Sequence, residues 1–261
     1  MICSNCKNEM TDSTENICPD CAAESLEQVE TPPEFRPLIS KRVIIIAARL
    51  VILAALIVTF FSMFTSSSEP EIGDIIGFGG YDWRVLDARD GKILLLSEYK
   101  IRTRAYHSGG SVTWEDSEIR LYLNQVFLNN LNLTDVERTR VARTYIENND
   151  NPWFGTSGGN NTLDYVFLLS LEEVVRYFGD SGQLENRPHI KSCHIRDEYD
   201  EGRAATHLDG SNTMLWWLRS PGVSGASAAF VGNDQGISVL GIFVGNTQGG
   251  IRPALWLYSK S

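Results

Sequence analysis

Residues 216–257 read WWLRSPGVSGASAAFVGNDQGISVLGIFVGNTQGGIRPALWL. Short apolar pieces at 216–219, 228–231, 237–239 and 251–257 are punctuated by Gly222, Gly225, Gly232, Gly236, Gly241, Gly245, Gly249 and Gly250. Strands this short, broken this often by glycine, predict an antiparallel sheet rather than βαβ crossovers. Working outward, 81–86 and 93–96 flank Asp90-Gly91, a dipeptide suited to a two-residue hairpin turn. Residues 166–169 are a short apolar strand candidate. Helices are fewer. Asp116-Ser117 can cap one whose apolar side is Ile119, Tyr122, Leu123, Val126 and Phe127. Thr134 with Glu137, and Ser170 with Glu173, are capping boxes; the second opens a helix stopped by Gly179. Two to three helices among many short strands make residues 72–261 an α+β domain.

Upstream the chain changes character. Residues 43–64, VIIIAARLVILAALIVTFFSMF, are nearly unbroken in their apolarity. As a helix they would reach about 33 Å, against about 30 Å for a bilayer core. A secretory leader would start earlier and end at a small-x-small cleavage site, which the following TSSS is not. Arg49 lies near enough to the start to snorkel beside Lys41 and Arg42. A single transmembrane helix at 43–64 is expected, with a linker at 23–42 and a spacer at 65–71. Arg36, Lys41 and Arg42 precede it, whereas Glu69, Glu71 and Asp74 follow it. The positive-inside rule then places the N-terminus in the cytoplasm and the large domain outside the cell membrane.

The chain has 261 residues, 43% of them apolar, which excludes wholesale disorder. Its formal charge is −10, of which −3 falls on residues 1–65 and −7 on the remainder. Nothing there would neutralise phosphates, so no nucleic-acid partner is expected.

Four of the five cysteines lie in the first 21 residues, as Cys3-Ser-Asn-Cys6 and Cys18-Pro-Asp-Cys21. Each pair puts two thiolates on one knuckle, and two knuckles meet the tetrahedral, four-sulfur preference of Zn²⁺. A segment of residues 1–22 has no core of its own, so a structural zinc must stabilise it as a minimal zinc ribbon. Redox use would need a βαβ context, and disulfides would need the opposite compartment. Four thiolates leave no open coordination position, so the ribbon's expected role is to hold a cytoplasmic protein partner.

The outer domain resembles a bacterial extracytoplasmic family of unknown function. The resemblance rests on Thr113-Trp114, Ile119-Arg120 and Leu123-Asn124, then Thr162-Leu-Asp164 through Ser170. It continues in Trp216-Trp217-Leu-Arg219-Ser-Pro221-Gly222 and in Gly250-Ile-Arg252-Pro253-Ala254-Leu255. It covers roughly residues 72–258. That family is similar to the C-type-lectin-like folds, which include the sulfatase-modifying factors. The resemblance implies a C-type-lectin-like fold and brings no activity with it.

Asp150, Trp153 and Asn161 lie on polar loops whose ring faces and fixed acceptors suit a sugar. The Glu-Pro-Asn and Trp-Asn-Asp motif of calcium-dependent lectins is missing, so calcium has no motif to hold it. Arg219 and Arg252 stand in the two strongest signatures, either to bind a carboxylate or to satisfy carbonyls at strand ends. His189, Cys193, His194 and His207 are near in sequence but match no standard ligand spacing, and no catalytic residues are assigned. The expected function is non-catalytic sensing or binding at the cell surface, with a glycan or the cell wall as ligand. The alternatives are an extracytoplasmic enzyme related to sulfatase-modifying catalysts and a protein-interaction scaffold.

Overall fold

The computed structural model describes residues 41–64, 69–188, 193–210 and 215–259. The expected zinc ribbon, and so Cys3, Cys6, Cys18 and Cys21, lies outside the described residues, as does the expected linker up to residue 40; Lys41 and Arg42 of that linker are already helical. The chain divides into two units, Met1–Ser67 and Ser68–Ser261.

In the first unit, the apolar run is helical throughout as α1 (Lys41–Phe64, 24 residues). Its described side chains, Val43 and residues 45–55, are all exposed. Among the described residues no helix is long and apolar enough to cross a membrane. The side chains described in α1 are fewer than the ~20 residues that a bilayer takes.

The second unit is a mostly antiparallel α+β domain. Its first sheet begins with β1 (Ile75–Phe78), β2 (Tyr81–Arg89) and β3 (Lys92–Ser97). The expected hairpin is there: Arg89 pairs with Lys92 across Asp90 and Gly91, whose φ angles are 52° and 67°. Positive φ at both central residues matches a turn whose twist follows that of the strands, and Asp-Gly tolerates it best.

Next come β4 (Arg102–Thr103) and a helical stretch made of α2 (Glu118–Leu121), a π-helical turn (Tyr122–Phe127) and α3 (Leu128–Asn130). Ser117 caps it, accepting a hydrogen bond from the Arg120 amide. The expected apolar side is realised at Ile119, Leu123 and Phe127, all buried, but Val126 is exposed. The π turn is the reason: its wider winding keeps every fourth residue in phase and rotates Val126 outward.

Both capping boxes are present, Thr134 with Glu137 opening α4 (Asp135–Arg140) and Ser170 with Glu173 opening α5 (Leu171–Phe178). Between them lie β5 (Val141–Ala142), β6 (Thr144–Ile146) and β7 (Thr162–Asp164), the last two forming a small sheet. The strand expected at 166–169 is instead an extended buried segment with one bridge, Phe167 to Ala254. The segment is fully buried, yet it gives up its backbone groups singly: the Leu168 carbonyl goes to Arg219, and the Leu169 carbonyl to the Arg219 amide.

The remaining elements are β8 (His194–Ile195), α6 (Asp200–Arg203), β9 (Leu215–Pro221), β10 (Ser227–Gly232), β11 (Ile237–Phe243), β12 (Gly249–Ile251) and β13 (Ala254–Tyr258). They complete two sheets, one ordered β1-β2-β3-β13-β5 and the other β4-β12-β9-β10-β11-β8. Among the described strands every pairing is antiparallel except β12 with β9, and one isolated bridge, Lys100 to His207, is also parallel. All seven residues of β9 are buried, because the strand is central in its sheet and covered on both faces.

The apolar piece 251–257 is two strands in two sheets rather than one. The chain changes sheets at Arg252-Pro253, where proline has no N–H to continue a ladder. The core lies between these sheets and is rich in tryptophan: Trp83, Trp114, Trp216 and Trp217 are all fully buried.

Candidate ligand-binding site

Residues of β6, α5, β9 and β13 border a polar cavity of about 340 Å³. Arg219 lies at its wall, 5% exposed. Its Nη1 donates to the Leu168 carbonyl (2.8 Å) and to the Glu173 carboxylate, and its Nη2 to the Glu147 carbonyl (3.1 Å). Glu173 also accepts from the Ser170 amide at 2.9 Å, so the helix cap and the arginine share one carboxylate. The Nε of Arg219 is buried and has no partner among the described residues. A buried donor left unsatisfied costs about 1–3 kcal/mol.

Around this base stand Tyr145, Glu172, Arg176 and Trp256. Trp256 is buried under the Arg89 guanidinium, 4.9 Å from the ring centroid. Tyr145 is 60% exposed, and its hydroxyl accepts a hydrogen bond from Asn161 Nδ2 at 2.8 Å. Asn161 Oδ1 in turn accepts from the Asn148 amide. Asn161 thus orients an aromatic ring at the cavity.

The other sequence-derived candidates are placed differently. Asp150 is exposed and accepts from the Gly158 amide at 3.0 Å, closing its own loop. Trp153 is half-buried; its indole N–H donates to the Leu184 carbonyl, and Arg187 lies 5.0 Å from its ring. Arg252, 2% exposed, sits where the chain changes sheets. It donates through Nε to the Ser97 carbonyl and lies 5.2 Å from the Trp216 ring. Burial pulls its pKa down to about 10. Of the five, Arg219 lines the cavity, and Asn161 reaches it only through its hydrogen bond to Tyr145. Tyr145, Glu172 and Arg176 were missed in the sequence. The one signal for Glu172 is the Glu172-Glu173 doublet, since a capping box uses only the second.

The residues of the first family-like segments form a brace instead. Asp164, 1% exposed, accepts from Trp114 Nε1 (2.9 Å), Thr162 Oγ1 (2.7 Å) and Arg120 Nε (2.7 Å). Asn124 Oδ1 accepts from the amides of Tyr165 and Val166. These bonds fix the strand before the cavity to the helix beneath it.

The model for DUF6273, a domain of unknown function, matches residues 90–259. The chain belongs to the DUF6273 family. The DUF6273 match starts at Asp90, so β1 and β2 precede it although they pair directly with β3 in the first sheet. Within the DUF6273 region lie the brace, both arginine signatures and every residue of the cavity wall except Arg89. No curated protein and no solved structure matches the chain.

The histidine and cysteine candidates do not converge. Among the described residues no group of three His, Cys, Asp or Glu side chains is placed to hold a metal. His189 lies outside the described residues. His207 Nδ1 is 2.8 Å from Asp209, and Cys193 accepts a long contact, 3.8 Å, from Arg187. His194 packs edge-on to Phe230, and burial, aided by Arg196, holds its pKa below the usual 6.5. The folded state therefore prefers the neutral ring, and the unfolded chain takes up a proton first on acidification. Stability is expected to be level above pH 6.5 and to fall as the pH drops from there through the folded value. Urea titrations of wild type and His194→Gln at pH 7.5 and 5 check this: the variant loses less on acidification.

Proposed function

We propose that this is a single-pass membrane protein whose outer domain is a non-catalytic module that binds a surface glycan or the cell wall. α1 crosses the bilayer, the four N-terminal cysteines hold a structural zinc on the cytoplasmic side, and the DUF6273 domain stands outside. What favours the membrane reading is a 24-residue apolar helix whose described side chains are all exposed. In water such a surface would be a severe liability. Its basic N-terminal flank and acidic C-terminal flank give the orientation. A C-type-lectin-like architecture for the outer domain is in keeping with two mostly antiparallel sheets around a tryptophan-rich core.

The observation that supports binding is the cavity at Arg219. Its charged groups are largely committed to each other and to backbone, as a fixed recognition surface requires, while an aromatic face and several amide and carboxylate acceptors remain open. That combination suits a polyol: a ring face stacks against Tyr145, and hydroxyls bond to Glu147, Asn149 and Glu172. The test is co-sedimentation of the detergent-solubilised full chain with purified peptidoglycan sacculi. Saturable binding is expected, weakened about tenfold or more by Tyr145→Ala, a stacking loss of roughly 1–3 kcal/mol by analogy with base stacking. Wild-type protein left in the supernatant at every concentration would refute the cell-wall ligand.

A further inference from the structure

At the hairpin end of the first sheet, one row of residues is basic across four strands. Arg89 pairs with Lys92, and Lys92 with Tyr258. The β13–β5 register, with Leu257 opposite Val141, then sets Arg140 beside Tyr258. Arg140 Nε donates to the Tyr258 carbonyl at 3.0 Å, which holds its guanidinium at that strand end. Neighbouring strands lie about 4.8 Å apart, so three cations and a phenol form a line about 14 Å long. We propose that this line docks a linear phosphodiester polymer, which crosses the four strands with its phosphates on Arg89, Lys92 and Arg140. The line meets the Arg219 cavity only at Arg89 and does not need that cavity to bind anything.

The row is open to solvent. One row further in, Trp256 is buried and Asp87 accepts from the Tyr177 hydroxyl at 3.1 Å, so α5 covers the sheet there. In the outer row Arg89 is exposed and Tyr258 is 48% exposed. A Cβ added at Gly91, in the turn joining Arg89 to Lys92, would meet nothing within 4 Å. The backbone beneath is fixed, because the Ser259 amide donates to the Gly91 carbonyl at 2.9 Å.

The row's charge is also uncommitted. Among the described residues Lys92 and Arg140 form no ion pair with a carboxylate; Lys92 Nζ lies 5.9 Å from the Trp256 ring centroid and 6.0 Å from that of Tyr258. Arg89 is 3.6 Å from Asp87, but Asp87 is shared with Arg176 and Tyr177. Asp90 is the acid of the turn itself. With Arg176, four cations therefore stand against Asp87 and Asp90. Residues 66–261 carry a net −7, so the domain as a whole repels a polyanion, and only a local concentration of unpaired cations can hold one. A straight row favours a polymer whose charges lie in its own backbone. The guanidinium forks of Arg89 and Arg140 match pairs of phosphate oxygens, with Lys92 as a point charge between them.

Fluorescence anisotropy of a dye-labelled glycerol phosphate decamer, titrated with the full chain in phosphatidylcholine nanodiscs, tests this. Saturable binding is expected. Raising salt from about 50 to about 200 mM should weaken it about twentyfold, the logarithmic slope of about −2 that three phosphate contacts give by analogy with single-stranded nucleic acid. Lys92→Gln/Arg140→Gln should bind more weakly at the lower salt and, with one contact left, show only about a threefold salt effect. Arg102→Gln/Arg104→Gln removes the same charge at β4, in the second sheet, and should bind as wild type does. Lys92→Gln alone serves if the double variant does not fold, and should make the slope shallower by about 0.7. No saturable binding, equal weakening by the two double variants, or a salt slope unchanged in Lys92→Gln/Arg140→Gln overturns the proposal. If the decamer fails while phosphatidylglycerol discs, compared with neutral ones, slow hydrogen exchange at 88–93, the row meets lipid headgroups and the polymer is the wrong partner.

Discussion

Trp217→Ala is expected to lower the unfolding free energy of the outer domain by about 3–5 kcal/mol, at or near the limit of what such a domain tolerates. Trp217 is 0% exposed. Its Nε1 donates to the Arg104 carbonyl at 2.9 Å, and its ring meets Tyr106 edge-on at 5.8 Å. Phe230 faces it across the β9–β10 ladder. The deletion opens a large void at the centre of the second sheet and leaves a carbonyl without its donor. Space on the other side is already spent: a Cβ at Gly249 would stand 2.0 Å from that same Nε1. Gly249 is therefore closed to any side chain while the indole is there. Gly249→Ala is damaging in wild type and much less so in the Trp217→Ala background. Urea unfolding of the four proteins, followed by circular dichroism, measures the coupling. Additive losses would show that the contact is not the reason for glycine at 249.

Arg219→Ala is the second large effect, about 3 kcal/mol or more in stability. Breaking a buried ion pair by removing one partner strands the other charge. Here the Leu168 and Glu147 carbonyls lose their donors as well. Glu173 is partly exposed and keeps the Ser170 amide, which holds the loss to the lower part of the 3–5 kcal/mol range. Adding Glu173→Gln should restore part of it, because the stranded charge is gone while the amide oxygen still caps the helix. Arg219→Lys should also destabilise, since an ammonium cannot span both carbonyls and the carboxylate as a planar fork does. Thermal denaturation of the single and double variants is the measurement. A double variant no more stable than Arg219→Ala would mean that the lost carbonyl bonds, not the charge, set the cost.

Local chemistry made part of the fold legible. Asp90-Gly91 dictates a hairpin turn through backbone conformation alone, and each capping box needs only a Ser or Thr and a Glu three residues apart. The buried strand at 215–221 is visible in part, as the short piece at 216–219. Features set by tertiary pairing were not visible. The π turn at 122–127 rotates Val126 outward, although the sequence has a clean helical period there. Arg252-Pro253 divides one apolar piece between two sheets, which no local pattern announces.

The cavity is the extreme case. Tyr145, Glu172, Arg219 and Trp256 are far apart in the chain and meet only because β6, α5, β9 and β13 each present a residue to one cavity. Sugar-like chemistry pointed to Trp153, a residue whose indole N–H is committed to the Leu184 carbonyl. The more exposed ring, Tyr145, stands in a short strand without a composition signal, and Asn161 leads to it only through a hydrogen bond.

On the function proposed above, the outer domain meets its ligand at the cleft beside Arg219. Hydrogen–deuterium exchange of the full chain in lipid nanodiscs, with and without soluble muropeptides from digested peptidoglycan, addresses it most directly. Slower exchange is expected at 144–149 and 170–176, the backbone bordering the cleft, with the 207–210 turn unchanged. Protection confined to other surfaces of the domain, with these two segments exchanging as before, would contradict the account.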